Sequence, residues 1–166
     1  MFLPRGAGVV YRAFGAPNAV TVGRRLARIA ARRGLLLFVG ADTGLAAAVN
    51  ADGVHLPERL AHRRGAVLRL RQRFLVSAAA HDLVAVRTAR RSGVDAIVVS
   101  PVFASASPSA GRPLGPDRFR RLVLAAGAPV YALGGVNGRS ARALANSGAA
   151  GLAAVGAFAE IRTSDD

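Results

Sequence analysis

Short apolar runs recur along the chain with polar, arginine-bearing segments between them: GVVYR (8–12), LLLFVG (35–40), DGVHL (52–56), RFLVS (73–77), AIVVS (96–100), PVYAL (129–133) and GLAAVG (151–156). Their apolar positions follow one another instead of alternating, the pattern of parallel strands covered on both faces. The segments between them, 18–33, 42–50, 57–64, 80–91, 116–126 and 138–146, read as helices. Gly34, Gly65, Gly93, Gly127 and Gly148 follow their ends, where a left-handed C-cap is expected. Strand and helix thus alternate throughout, which selects the α/β class.

An internal repeat supports this alternation. VNADGVHL (49–56), RSGVDAIVVS (91–100) and NSGAAGLAAV (146–155) each pass from a helix end through a small-residue turn into an apolar strand. Two architectures fit: a doubly wound open sheet, or a (β/α)8 TIM barrel lacking its first β/α unit, with seven strands recognisable. A glycine pair decides between them. VYALGGVNGRSARAL (130–144) follows the sixth run, whereas a dinucleotide fingerprint follows the first strand and needs G-x-G spacing. Barrels place phosphate sites after strands seven and eight, and the last two runs take those places if the first strand is missing. The whole chain, 1–166, is expected to be one such domain.

Composition narrows the chemistry. The chain has no cysteine, which excludes disulfides and thiolate sites, and it lacks lysine, which excludes Schiff-base catalysis and a lysine clamp on phosphate. Net charge is +14, all of the basic side chains being arginine. These arginines are spread over helix-like stretches without the aromatic residues that base stacking requires, so solvated helix faces are expected and nucleic acid is not. No stretch approaches the roughly 20 apolar residues of a membrane span and no signal-like start is visible, so a cytoplasmic protein without membrane contact is expected.

The blocks ADGVHLP (51–57), VSAAAHD (76–82), GVDAIVVSPVF (93–103), PVYALGGVN (129–137) and SGAAGLAAVGAF (147–158) resemble, in order and spacing, the thiamine phosphate synthase family, including its thiazole tautomerase-like branch. The resemblance implies the (β/α)8 barrel and a transferase of thiamine biosynthesis. Such synthases join a hydroxymethylpyrimidine diphosphate to a thiazole phosphate with Mg2+, releasing pyrophosphate. Against that pattern the chain starts at the family's second strand. Either the true start lies upstream of Met1 or the barrel has lost a strand. Because dropping a strand exposes two unpaired edges, a start upstream is expected, with an open or partner-completed barrel, such as a homo-oligomer, as the alternative.

The same resemblance assigns residues at the strand ends. Of the glutamine, arginine and lysine that hold the diphosphate, only Arg12 is kept, with Val10 and Phe14 at the other places. Arg12 either grips a phosphate or is a surface arginine. The Asn-Asp that helps hold magnesium is replaced by Gly40 and Ala41; Asp42 follows as a substitute ligand or a helix N-cap. Glu58 is the only carboxylate after the VHL strand, so no metal site is assigned.

The catalytic candidates are His55, Ser77, His81 and Ser100. Ser77 with His81 suggests a nucleophile and base, but no third group is evident to orient the imidazole, and Asp82 reads as a helix N-terminal residue. The family's loop lysine falls on Pro108, and the tautomerase histidine near Pro101 is absent. Substrate contacts are then left to Arg12, Ser105, Ser107 and Arg112, and phosphate binding to Gly134, Gly135, Val155 and Gly156, aided by a helix opening near Asn137. Two functions follow: a thiamine phosphate synthase-like enzyme, or a barrel that binds a thiazole phosphate-like ligand without the chemistry.

Overall fold

The computed structural model describes residues 3–70, 73–105 and 111–155. Seven strands, β1 (Gly8–Tyr11), β2 (Leu36–Gly40), β3 (Gly53–Leu56), β4 (Leu75–Ala80), β5 (Ala96–Val99), β6 (Val130–Ala132) and β7 (Gly151–Leu152), are all parallel and lie in chain order. Five α-helices connect them: α1 (Ala19–Arg33), α2 (Thr43–Ala48), α3 (Arg64–Leu70), α4 (Leu83–Ser92) and α5 (Gly115–Ala126). Parallel neighbours joined by right-handed crossovers put every helix on the same side of the sheet, so the sheet curls into an α/β barrel wall of seven strands.

The core lies between that wall and the helices. Leu37, Val39, Val54, Leu56, Val76, Ile97, Val99 and Val130 share the helix side and are all buried, as is Phe119 of α5. Each such side chain contributes about 1.5–3 kcal/mol by leaving water. The opposite, concave face differs from the expectation of strands covered on both sides. Val10 and Leu75 there are 42% and 38% exposed. The reason is topological: among the described residues β7 does not pair with β1, so the concave face is not enclosed.

Asp52 and Asp95 explain part of the sequence repeat. Each stands just before its strand, donates its backbone N–H to Leu37 O (2.8 Å) or Val76 O (2.8 Å), and accepts the N–H of that same residue on its side chain at 2.7 and 2.8 Å. The third repeat keeps only the backbone half: Ala150 N–H donates to Val130 O at 2.8 Å. Asp95 also faces Arg64 at 3.7 Å. Replacing it by alanine orphans the Val76 N–H, and Asp95→Ala is expected to lose about 1–3 kcal/mol of stability in urea titration.

Several local expectations are corrected. Gly34, Gly93 and Gly127 do cap α1, α4 and α5 in the left-handed region. Gly65 does not: a 3-10 turn over Glu58–Arg63 runs straight into α3, and Gly65 lies inside that helix. The strand placed at 73–77 is β4, Leu75–Ala80, because the Ala78–Ala80 run pairs with Ile97–Val99 despite alanine's weak strand preference. Helix α4 accordingly starts at Leu83, after Asp82 accepts the Ala85 N–H at 2.8 Å. The segment 138–146 holds only a 3-10 turn, Ser140–Leu144, and of 151–155, the described part of the last run, only Gly151–Leu152 is strand.

Candidate functional site

The C-terminal strand ends carry the candidate residues, beginning with a row across β2 to β4. Gly40 pairs in register with His55, and His55 with Ser77. His55 Nδ1 lies 3.0 Å from the Ser77 hydroxyl oxygen, and Ser77 is buried. Burial, and then the positive charge of Arg12, push the His55 pKa down to about 4, so the imidazole is neutral at physiological pH. Ser77 is therefore the partner of His55, and the pairing with His81 considered from the sequence is not made.

Arg12 follows β1 directly, and its stem crosses Gly40: a Cβ built on Gly40 would stand 3.0 Å from Arg12 Cγ. Its guanidinium lies 4.5 Å from the centroid of the Phe14 ring. Phe14 itself has φ 49° and is 81% exposed, an uncommon conformation for an aromatic residue. Among the described residues no carboxylate pairs with Arg12.

A second cluster joins β3, β4 and β5. His81 Nδ1–H donates to the Ser100 carbonyl at 2.6 Å, leaving Nε2 4.0 Å from Glu58 Oε2. The same carboxylate accepts the His81 backbone N–H at 3.1 Å. Glu58 is thus a carboxylate beside His81 that sequence reasoning did not connect to it, while the ring itself is held through Ser100; 23 residues separate Glu58 from His81, and no local motif links them. The Ser100 hydroxyl stands 3.4 Å from His81 Nδ1.

The glycine pair after β6 has a definite packing role. Gly134 and Gly135 adopt φ 93° and 64°. A Cβ on Gly134 would come within 2.7 Å of Pro101 Cα, and one on Gly135 would meet the Ala104 carbonyl oxygen and Phe103. The loop is held there by Val102 N–H to Leu133 O and Phe103 N–H to Gly134 O, both 2.9 Å. Among the described residues no acceptor takes the N–H of Gly134 or Gly135.

The helix expected to open near Asn137 is corrected. Only the five-residue 3-10 turn follows, and Asn137 Oδ1 already accepts the N–H groups of Arg139 (2.9 Å) and Ser140 (3.0 Å). The turn therefore has little dipole to offer, and two of its first donors are satisfied internally. Ser140 Oγ donates to Gly135 O at 2.9 Å, tying the turn to the glycine pair.

The remaining candidates are scattered. Val155 is 81% exposed beyond β7, and Arg112 is exposed ahead of α5. Ser105 is half-buried in the loop that the glycines contact, whereas Ser107 and Gly156 lie outside the described residues.

The magnesium that the resemblance implies does not fit these residues. Asp42 is engaged as the N-cap of α2, accepting the Leu45 N–H at 2.8 Å, and Glu58 is engaged by His81. Gly40 and Ala41 offer no side-chain oxygen, and among the described residues no three His, Cys, Asp or Glu side chains come together as a metal site.

Comparison with known proteins extends the picture over almost the whole chain. The thiamine monophosphate synthase family matches residues 7–158. Thiamine-phosphate synthase of Chloroflexus aurantiacus is 36% identical over 76% of this chain and 58% of its own length. A protein of Aquifex aeolicus named putative thiamine-phosphate synthase 2 is 34% identical over 75% of this chain and 67% of its own length. A solved thiamine phosphate pyrophosphorylase of Pyrococcus furiosus superposes with TM-score 0.78 at 25% identity, covering 90% of this chain and 72% of that one. The chain thus spans about three fifths to three quarters of these three proteins. Seven successive parallel strands, candidate groups gathered at their C-terminal ends and a match across 7–158 lead to one assignment: the chain belongs to the thiamine monophosphate synthase family.

Proposed function

We propose that this protein acts in thiamine biosynthesis as a thiamine-phosphate synthase-type transferase, joining a hydroxymethylpyrimidine diphosphate to a thiazole phosphate. In that reaction the thiazole nitrogen attacks the pyrimidine methylene carbon. The carbon–oxygen bond to the diphosphate breaks, and pyrophosphate leaves with the electron pair. The observation that carries the reading is the Gly134–Gly135 pair at the C-terminal end of β6, with two backbone donors that no described residue uses. Anions bind where such donors converge without an intervening side chain. Val155 N–H after β7 is the neighbouring donor, and the concave face receives the two rings.

The leaving diphosphate faces Arg12, whose guanidinium stabilises developing negative charge. Neutral His55, held by Ser77, adds a polar contact without competing charge. The phosphorylated, highly polar ligands suit a cytoplasmic protein, and among the described residues no helix is long and apolar enough to cross a membrane. Neither nucleic acid nor a membrane enters this reading. A second subunit is one natural cover for the edges of β1 and β7 that stay unpaired among the described residues.

The test is incubation of the protein with both precursors, followed by chromatography for thiamine phosphate. Product accompanied by stoichiometric pyrophosphate is expected. Saturable binding of the thiazole phosphate without product would move the protein to the non-catalytic barrel reading, which the missing magnesium ligands favour; no binding of either precursor would overturn both.

A further inference from the structure

Resting on the reading of the barrel as a phosphate-ligand site, we infer that the mouth formed by the ends of β1, β2 and β3 binds its anion through the Arg12 guanidinium without a divalent cation. The first observation is steric. The Arg12 stem lies across Gly40, 3.0 Å from where a Cβ would stand, so it fills space that an asparagine at that position would claim. Gly40 and the next residue, Ala41, are the two positions at which the family resemblance expects metal-binding Asn-Asp.

The second observation is electrostatic. Among the described residues Arg12 has no carboxylate partner, while Asp42 and Glu58, the carboxylates beside β2 and β3, serve the α2 N-cap and His81. A divalent cation placed here would meet a guanidinium without the carboxylates that ordinarily offset its charge. An anion meets the opposite situation. The guanidinium presents a planar fork of donors that matches two phosphate oxygens. Burial, then the Arg12 charge, also keep the adjacent His55 neutral, consistent with a site whose charge resides on Arg12.

Inorganic pyrophosphate is the probe, followed by titration calorimetry at fixed ionic strength in EDTA and in magnesium. The wild-type protein is expected to bind it in EDTA at least as tightly as in magnesium, because the metal competes for the anion. Arg12→Gln, which retains much of the stem over Gly40, is expected to weaken binding about tenfold or more. The double variant Gly40→Asn, Ala41→Asp is expected to make binding magnesium-dependent. Position 41 has φ 63°, a conformation that aspartate tolerates better than most residues, and at position 40 the Arg12 stem must give by a few tenths of an ångström to admit the asparagine. Thermal melts confirm that both variants remain folded.

Binding that vanishes in EDTA, absence of binding in both buffers, or unchanged affinity in Arg12→Gln would each overturn the inference. The two readings fail separately. Thiamine phosphate formed only with magnesium, without metal-free pyrophosphate binding, keeps the proposed reaction and removes this inference. Metal-free pyrophosphate binding without product does the reverse.

Discussion

Gly135→Ala is expected to destabilise the protein by about 2–5 kcal/mol, the sum of a left-handed backbone penalty and an overpacked contact. Its φ of 64° is costly for any residue with a Cβ, and that Cβ would run into the Ala104 carbonyl oxygen and stand 2.8 Å from Phe103 Cβ. Neither neighbour can step aside cheaply, because the 101–104 segment is itself bonded to Leu133 and Gly134. Gly138 is the internal control. It lies three residues along the same loop, and nothing stands within 4 Å of its added Cβ. Urea unfolding of the two variants separates the cases: equal midpoints would mean that the glycine pair has no packing role. If Gly135→Ala also loses thiazole phosphate affinity while remaining folded, loop geometry and anion binding are coupled.

Acid should expose His55 in a comparable way. In the unfolded chain its imidazole has the ordinary pKa of 6.5; in the folded protein burial, with Arg12 nearby, lowers it to about 4. Between these values the unfolded state binds a proton that the folded state refuses, so stability falls as pH falls through that window. Below the folded pKa both states are protonated and the loss levels off. The full shift corresponds to about 3 kcal/mol. Urea midpoints from pH 7 to 4 measure this, and His55→Asn, which retains a polar group near Ser77, should remove that share of the acid sensitivity. A variant that keeps the wild-type slope would show that His55 is not the responsible group.

The strand order was legible because each apolar run is short, punctuated by glycine, and followed by a helix-like segment. The N-terminal role of Asp82 was legible for a local reason, since a side-chain oxygen three residues before an amide is an N-cap, although the helix itself was expected from residue 80; at Asp42 the cap was one of two readings, and the Leu45 N–H decides for it. Local patterning failed at two places for different reasons. Ala78–Ala80 became strand because the distant Ile97–Val99 lies beside it, and Gly65 became helix because the preceding 3-10 turn continues into α3.

At the site the division is sharper. His55, Ser77, His81 and Ser100 could each be named from the chain, but their partnerships could not. Ser77 meets His55 because β3 and β4 align those two positions, and His81 meets Glu58 and Ser100 because three strand ends converge.

The sequence by itself determined the alternation of strand and helix, the family and the positions of the glycine pair, because periodicity, capping and motif spacing are written locally. Only the tertiary structure decided which groups touch. Arg12 over Gly40, Glu58 on His81 and the glycines against residues 101–104 join segments distant in sequence, and their contacts depend on strand register and loop packing that no local pattern encodes.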